Sequence, residues 1–160
     1  MTEPQFPDVR KKVTVDAAPQ EAFRIYTELA IEWLPPAHTF LPEPQTIAME
    51  PRAGGRFFER AADGSQVSRG TILEWLPPRR LVVTWRVGPD WRPIYDDEHA
   101  SRIAVDFLPA GADRTEVVVT YSEFERAGEM ASHLRAALDA ADPGETLERY
   151  AAVVARRAVR

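Results

Sequence analysis

Residues able to do chemistry are few in this chain, and they stand far apart. The three histidines, His38, His99 and His133, form no HExxH stretch and no other pair with metal-ligand spacing. There is no cysteine, which excludes thiol nucleophiles, disulfides, Cys-ligated zinc and iron–sulfur clusters. No GxSxG elbow marks a serine nucleophile. Asp96-Asp97-Glu98-His99 is the one run with metal-ligand character. It falls in a loop without fixed geometry, so a solvated acidic tip is the expectation and no metal site is assigned. Gly54-Gly55-Arg56 lacks both the spacing and the following helix of a phosphate loop and reads as a tight turn entering a strand. Tyr121, Glu59 or His38 could do acid–base work in an enzyme if the fold brings them to an apolar pocket that shifts their proton affinities.

The frame for these residues is one ordinary globular domain. The chain has 160 residues, 44% hydrophobic and 28% charged, enough to bury its own core. Twenty Lys and Arg against 25 Asp and Glu give a formal charge of -5, so no long-range field gathers nucleic acid. No segment approaches the ~20 apolar residues of a membrane span, and the first residues lack a basic, then apolar, secretory leader. A cytoplasmic protein is the expectation. Residues 1–8 read as a flexible N-terminal tip and residues 9–158 as a single domain.

Along the chain, Val9–Val15 alternates into a first strand with Val13 and Val15 on its buried face. Asp16-Ala17-Ala18-Pro19 opens a helix with Ala22, Phe23 and Tyr26 on one stripe, and Trp33-Leu34-Pro35-Pro36 closes the helical region. From residue 46 to 122 the period is two. Runs at 46–50, 56–60, 68–75, 80–87, 101–107 and 115–122 alternate with turn residues, as in an antiparallel meander. Ala127–Ala141 then reads as a short helix and Asp142-Pro143-Gly144 as its stop. Thr146–Arg157 follows as an amphipathic helix with Leu147, Tyr150, Ala151 and Val154 on one face. Arg149, Arg156, Arg157 and Arg160 near its end suit the helix dipole. A sheet with one apolar face needs a cover, and a late helix supplies it, giving an α+β architecture whose interlayer gap is either core or cavity.

Motifs within these elements resemble a known family. Ala18-Pro19…Ala22-Phe23, Glu50-Pro51-Arg52-x-Gly54-Gly55-Arg56-Phe57, Gly70-x-Ile72-Leu73-Glu74 and Pro77-Pro78-Arg79-Arg80-Leu81-Val82-Val83-Thr84-Trp85 are similar to the SRPBCC, or START-like, superfamily. They resemble in particular the branch named after the activator of Hsp90 ATPase. The resemblance covers about residues 9 to 155 and implies the helix-grip (START, Bet v 1-like) fold: a curved antiparallel sheet of about seven strands wrapped on a long C-terminal helix. Gly88…Trp91-Arg92…Ser101, Gly111…Thr115-x-Val117 and Phe124-Glu125-Arg126-x-Gly128…Leu134-Arg135 further resemble a narrower group that includes self-sacrifice resistance proteins against enediyne antibiotics. Trp33-Leu34 and Gly144-Glu145 depart from that group's aromatic positions.

The resemblance implies an apolar cavity between sheet and last helix, with Trp33, Phe57, Trp85, Trp91, Ile103, Phe107, Tyr121, Leu147, Tyr150 and Val154 as the lining. It implies no cofactor. The expected partner is a hydrophobic or polycyclic small molecule, held without turnover, and in the narrower group a bound enediyne diradical takes hydrogen from a glycine Cα. Gly88 and Gly111 are then the candidate cleavage sites, because a glycine Cα is unshielded. A polyketide cyclase or hydrolase using the same cavity is the alternative, and an Hsp90-related interaction module is the third reading.

Overall fold

The computed structural model describes residues 6–35, 38–88, 93–94, 96–140 and 143–158. Seven strands form one antiparallel sheet: β1 (Val9–Val15), β2 (Pro44–Met49), β3 (Arg56–Ala61), β4 (Gln66–Leu76), β5 (Arg80–Trp85), β6 (Ser101–Pro109) and β7 (Thr115–Ser122). Their order is β1-β7-β6-β5-β4-β3-β2, a meander closed at one edge by the N-terminal strand. Two helices, α1 (Pro19–Glu28) and α2 (Ala30–Trp33), connect β1 to β2. A 3₁₀ helix (Phe124–Met130), α3 (Ala131–Ala140) and α4 (Pro143–Ala158) follow β7. This is the helix-grip α+β fold.

Local chemistry explains the boundaries. Pro19 opens α1 at a position where its missing N–H costs nothing, and Ala22, Phe23, Ile25 and Tyr26 turn inward. The turn before β3 is held by the Glu50 carboxylate, which accepts the Arg56 N–H at 2.7 Å. A Cβ on Gly55 would stand 2.8 Å from the Glu50 carbonyl, so the tight turn needs glycine there. Gly70 is more constrained still. A Cβ at that position would fall 2.0 Å from the Thr84 carbonyl, where β4 and β5 approach next to a register shift in the β3–β4 pairing.

Two readings of helix limits change. The helix expected from Ala127 begins as α3 at Ala131, because Gly128 adopts φ 60° and breaks the preceding 3₁₀ turn. The last helix starts at Pro143 rather than Thr146, since proline is well tolerated in a first turn and does not act here as a stop. The main core lies between the sheet and α1, α2 and α4. A smaller one, with Val9, Phe124, Ala127, Ala131, Leu134 and Leu138, lies beneath the 3₁₀ helix and α3. Phe6 packs against that second cluster, and Arg135 Nε donates to the Pro7 carbonyl at 2.7 Å.

Candidate functional site

One end of the concave face is hollow. The cavity is lined from the sheet by Met49, Phe57, Arg69, Leu81, Val83, Trp85, Ile103, Val105 and Tyr121, and from the helical side by Tyr26, Trp33, Leu34, His38 and Thr146. Its interior volume is about 50 Å³. That is room for a few waters, whereas small-molecule sites generally span ~300–1,000 Å³. Room for a molecule of that size requires the walls to part.

The walls are braced by polar contacts. Glu59 and Arg69, on β3 and β4, form an ion pair with side chains 0% and 1% exposed. The Glu59 carboxylate also accepts the N–H groups of Phe40 (2.9 Å) and Leu41 (3.0 Å). Arg69 Nη1 donates to the His38 carbonyl at 3.0 Å, and its guanidinium lies 4.9 Å from the Phe40 ring centroid and 5.4 Å from that of Phe57. The buried pair thus fastens residues 38–41, of which His38 lines the cavity, to strands β3 and β4. Burial presses the Arg69 guanidinium below its usual pKa, and Glu59 opposes that shift. On the other side, Arg149 Nε of α4 donates to the Trp33 carbonyl at 3.1 Å, and Arg157 pairs with Glu32. These arginines hold α2, and with it Trp33, in place, a tertiary role beyond the helix-dipole effect read from the sequence.

Two neutral hydroxyls complete the lining. Burial raises the Tyr121 phenol to about 12. Tyr26 is pushed far above the usual range by burial and by neighbouring Tyr121, against a smaller opposing pull from Arg69. At neutral pH both are protonated donors.

The sequence-derived lining set divides in two. Trp33, Phe57, Trp85, Ile103 and Tyr121 face the cavity. Phe107, Leu147, Tyr150 and Val154 lie in the packed core beside it; the Phe107 ring sits 5.1 Å from Phe23 and 5.8 Å from Tyr26, and Tyr150 donates its hydroxyl to the Ala22 carbonyl at 2.7 Å. Trp91 lies outside the described residues. Gly88 is buried, three positions beyond Trp85, whereas Gly111 is exposed in the β6–β7 turn at the far end of the sheet. Of the acid–base candidates, Tyr121 and His38 line the cavity, and Glu59 spends its oxygens on Arg69, Phe40 and Leu41. In the acidic run Asp96, Glu98 and His99 are exposed, as expected of a solvated tip, whereas Asp97 accepts Thr84 Oγ1 and Arg86 Nε, each at 2.8 Å. The sequence reading missed Arg69. A signal for it existed, because Glu59 shares the inward phase of Phe57, and a carboxylate on a buried face requires a cation.

Comparison with known proteins now places the fold. The family model described as activator of Hsp90 ATPase homolog 1-like protein matches residues 16–140. The chain belongs to this family. Among solved structures it is similar to the anthrahydroquino-γ-pyrone synthase Txn09 complexed with SUM, at 42% identity over 92% of this chain and 96% of that one, with a TM-score of 0.64. It is also similar to CalC, a self-sacrificing resistance protein from Micromonospora echinospora, at 26% identity over 95% and 96% of the two chains, TM-score 0.66. Protein NE0264 from Nitrosomonas europaea shares the fold at 16% identity and a TM-score of 0.65. No curated protein matches the chain. Among the described residues no helix of this family member is long and apolar enough to cross a membrane.

Proposed function

We propose that the protein is a ring-closing enzyme that forms a γ-pyrone on a polycyclic phenolic substrate inside the helix-grip cavity. One observation carries this reading: the 42% identity with a γ-pyrone synthase extends over 92% of this chain and 96% of that one. The reaction class needs no cofactor. A phenol O–H adds to the distal ketone of an ortho 1,3-diketone side chain, forming a C–O bond and a hemiketal. Loss of that hydroxyl with one hydrogen of the intervening CH₂ releases water and installs the ring double bond, with no net change of oxidation state. Such a closure needs a folded side chain, a proton donor at the ketone oxygen and a dry apolar wall. Tyr121 supports the donor role, because it lines the cavity and stays protonated to about pH 12.

Resemblance to CalC supports a second reading, sacrifice of the chain by a bound enediyne. Gly88 would then be favoured over Gly111 as the cleavage site, since it stands next to the cavity strand and Gly111 does not. One experiment separates the two. A synthetic hydroxyanthraquinone bearing an ortho 1,3-diketone chain is incubated with catalytic protein, and products and intact protein mass are followed together. Synthase activity gives many products per chain, each lighter by one water, and Tyr121→Phe slows it by ~10²-fold or more. Closure no faster than the spontaneous rate refutes the synthase reading. Chain cleavage in step with loss of an activated enediyne would establish sacrifice instead.

A further inference from the structure

Three side-chain polar atoms among the described residues are buried without a protein partner: Arg69 Nε, Trp85 Nε1 and Ser101 Oγ. They are not scattered. They occupy three consecutive strands of the sheet, β4, β5 and β6. Trp85 and Ser101 are direct register partners, and the N–H of Arg86, the next residue, donates to the Arg69 carbonyl at 3.2 Å. The three positions therefore form one lateral row across the hollow end of the sheet. Arg69 and Trp85 line the cavity, and Ser101 is 0% exposed beside them.

Several other polar groups near this space have partners. Trp33 Nε1 donates to the Tyr26 carbonyl at 3.2 Å, Tyr150 to Ala22 and Thr84 to Asp97. Buried donors left unmade are costly and uncommon, and a cluster of them in one place calls for an explanation. The chemistry of the three is one-sided. Arg Nε–H and indole N–H can only donate, and a serine hydroxyl can donate as well as accept. Their complement is a set of acceptor oxygens. Both cavity-lining donors are also held rigidly: Trp85 stacks edge-on against Tyr121 with centroids 5.3 Å apart, and Arg69 is fixed by Glu59 and the His38 carbonyl. Preorganised donors in an apolar site discriminate strongly between ligands that have matching acceptors and those that lack them.

We infer that Arg69, Trp85 and Ser101 form a donor row that binds the oxygen-bearing edge of a hydroxyquinone-type polycycle, selecting it over hydrocarbons of the same shape. The inference deepens the proposed function by naming the feature of the substrate that the cavity reads, and it rests on that reading only for the substrate class. Its test does not require turnover. The probe is 1,8-dihydroxyanthraquinone, which has no diketone to close, and anthracene serves as the same-shape control. Binding to the full chain is measured by equilibrium dialysis, and thermal midpoints are recorded alongside.

Trp85→Phe and Ser101→Ala are each expected to weaken dihydroxyanthraquinone binding roughly five- to tenfold, the size of one lost hydrogen bond. Anthracene binding stays within about twofold of the parent, and the midpoint of Ser101→Ala does not fall, because in the free protein the hydroxyl has no partner to lose. Equal loss for both probes, or loss for neither, overturns the donor row. So does a clear drop in the Ser101→Ala midpoint, which would show that the hydroxyl is bonded in the free protein, for example through a structural water. Normal probe binding with no ring closure refutes the synthase reading alone. Ring closure with unaltered probe affinity in both variants refutes the donor row alone.

Discussion

The concave face of the sheet is filled at one end and hollow at the other, although the same strands build both. Toward the β6–β7 turn, Phe107, Phe23, Tyr26 and Tyr150 interlock edge to face with centroids 5.1 to 5.8 Å apart. Buried hydroxyls there have partners, as with Tyr150 donating to the Ala22 carbonyl and Thr115 Oγ1 to the Ala17 carbonyl, each at 2.7 Å. Toward the opposite end Trp85, Ile103, Tyr121 and Arg69 surround a cavity, and the unpartnered donors collect there. Secondary structure does not separate the two ends. What differs is whether side chains from the helices reach the strand face, and whether each polar atom was given a partner. The filled end supplies stability and the hollow end keeps capacity for a ligand.

The hollow end can stay open only if its frame is strong, and the largest effect tests that frame. Glu59→Leu leaves the Arg69 charge buried and two backbone N–H groups without an acceptor. Breaking a buried pair from one side costs ~3–5 kcal/mol, read as a fall in the urea midpoint. Adding Arg69→Met recovers most of that loss but not all, since Phe40 and Leu41 still lack the carboxylate. A Glu59→Leu variant as stable as the parent would mean that the ion pair is not what braces the cavity.

Next in size is a matched pair of truncations on one strand. Phe107→Ala empties a fully packed site and is expected to cost ~3–5 kcal/mol. Ile103→Ala, four residues away on the same face but beside existing space, should lie at the low end of the ~2–5 kcal/mol range for such truncations. The binding readout reverses the order: dihydroxyanthraquinone affinity responds to Ile103→Ala and not to Phe107→Ala once the protein is folded. Equal destabilisation by both would erase the distinction between the two ends.

Much of this frame was legible in the sequence. The period-two runs located all the meander strands, and Thr115–Ser122 matches β7 residue for residue. The family resemblance also named Trp85, Ile103 and Tyr121 as cavity lining, and they do line it. Strand phase could not tell lining from core, because Phe107 has the same phase as Ile103 and differs in the Phe23 and Tyr26 rings that α1 brings against it. Arg69 was hidden for another reason. The β3–β4 pairing shifts register between Phe57 and Phe58, so inward positions on β4 cannot be counted from those on β3. The arginines of α4 were read as dipole partners, since nothing in their spacing announces Glu32 or the Trp33 carbonyl more than a hundred residues away.

The smallest effect separates two tyrosines, one at each end. Tyr150 donates to the Ala22 carbonyl, so Tyr150→Phe should cost about 1 kcal/mol at neutral pH. Tyr121 lines the cavity, and Tyr121→Phe should be nearly neutral there. At alkaline pH the two tyrosines act in the same direction. The Tyr121 phenol has a pKa of about 12 in the fold against an ordinary 10.0, so between those values the native state holds a proton that the unfolded state has released. Unfolding then releases a proton and stability falls as pH rises, by about 1.4 kcal/mol per pH unit for each such tyrosine. Tyr150 is shifted in the same direction by burial. Each Tyr→Phe variant therefore loses stability less steeply than the parent from pH 10 upward, measured by urea midpoints at successive pH values. Only Tyr150→Phe starts from a lower plateau. A Tyr121→Phe variant that also starts low would show its hydroxyl already bonded in the free protein, and the hollow end would then be less different from the filled one than the structure makes it.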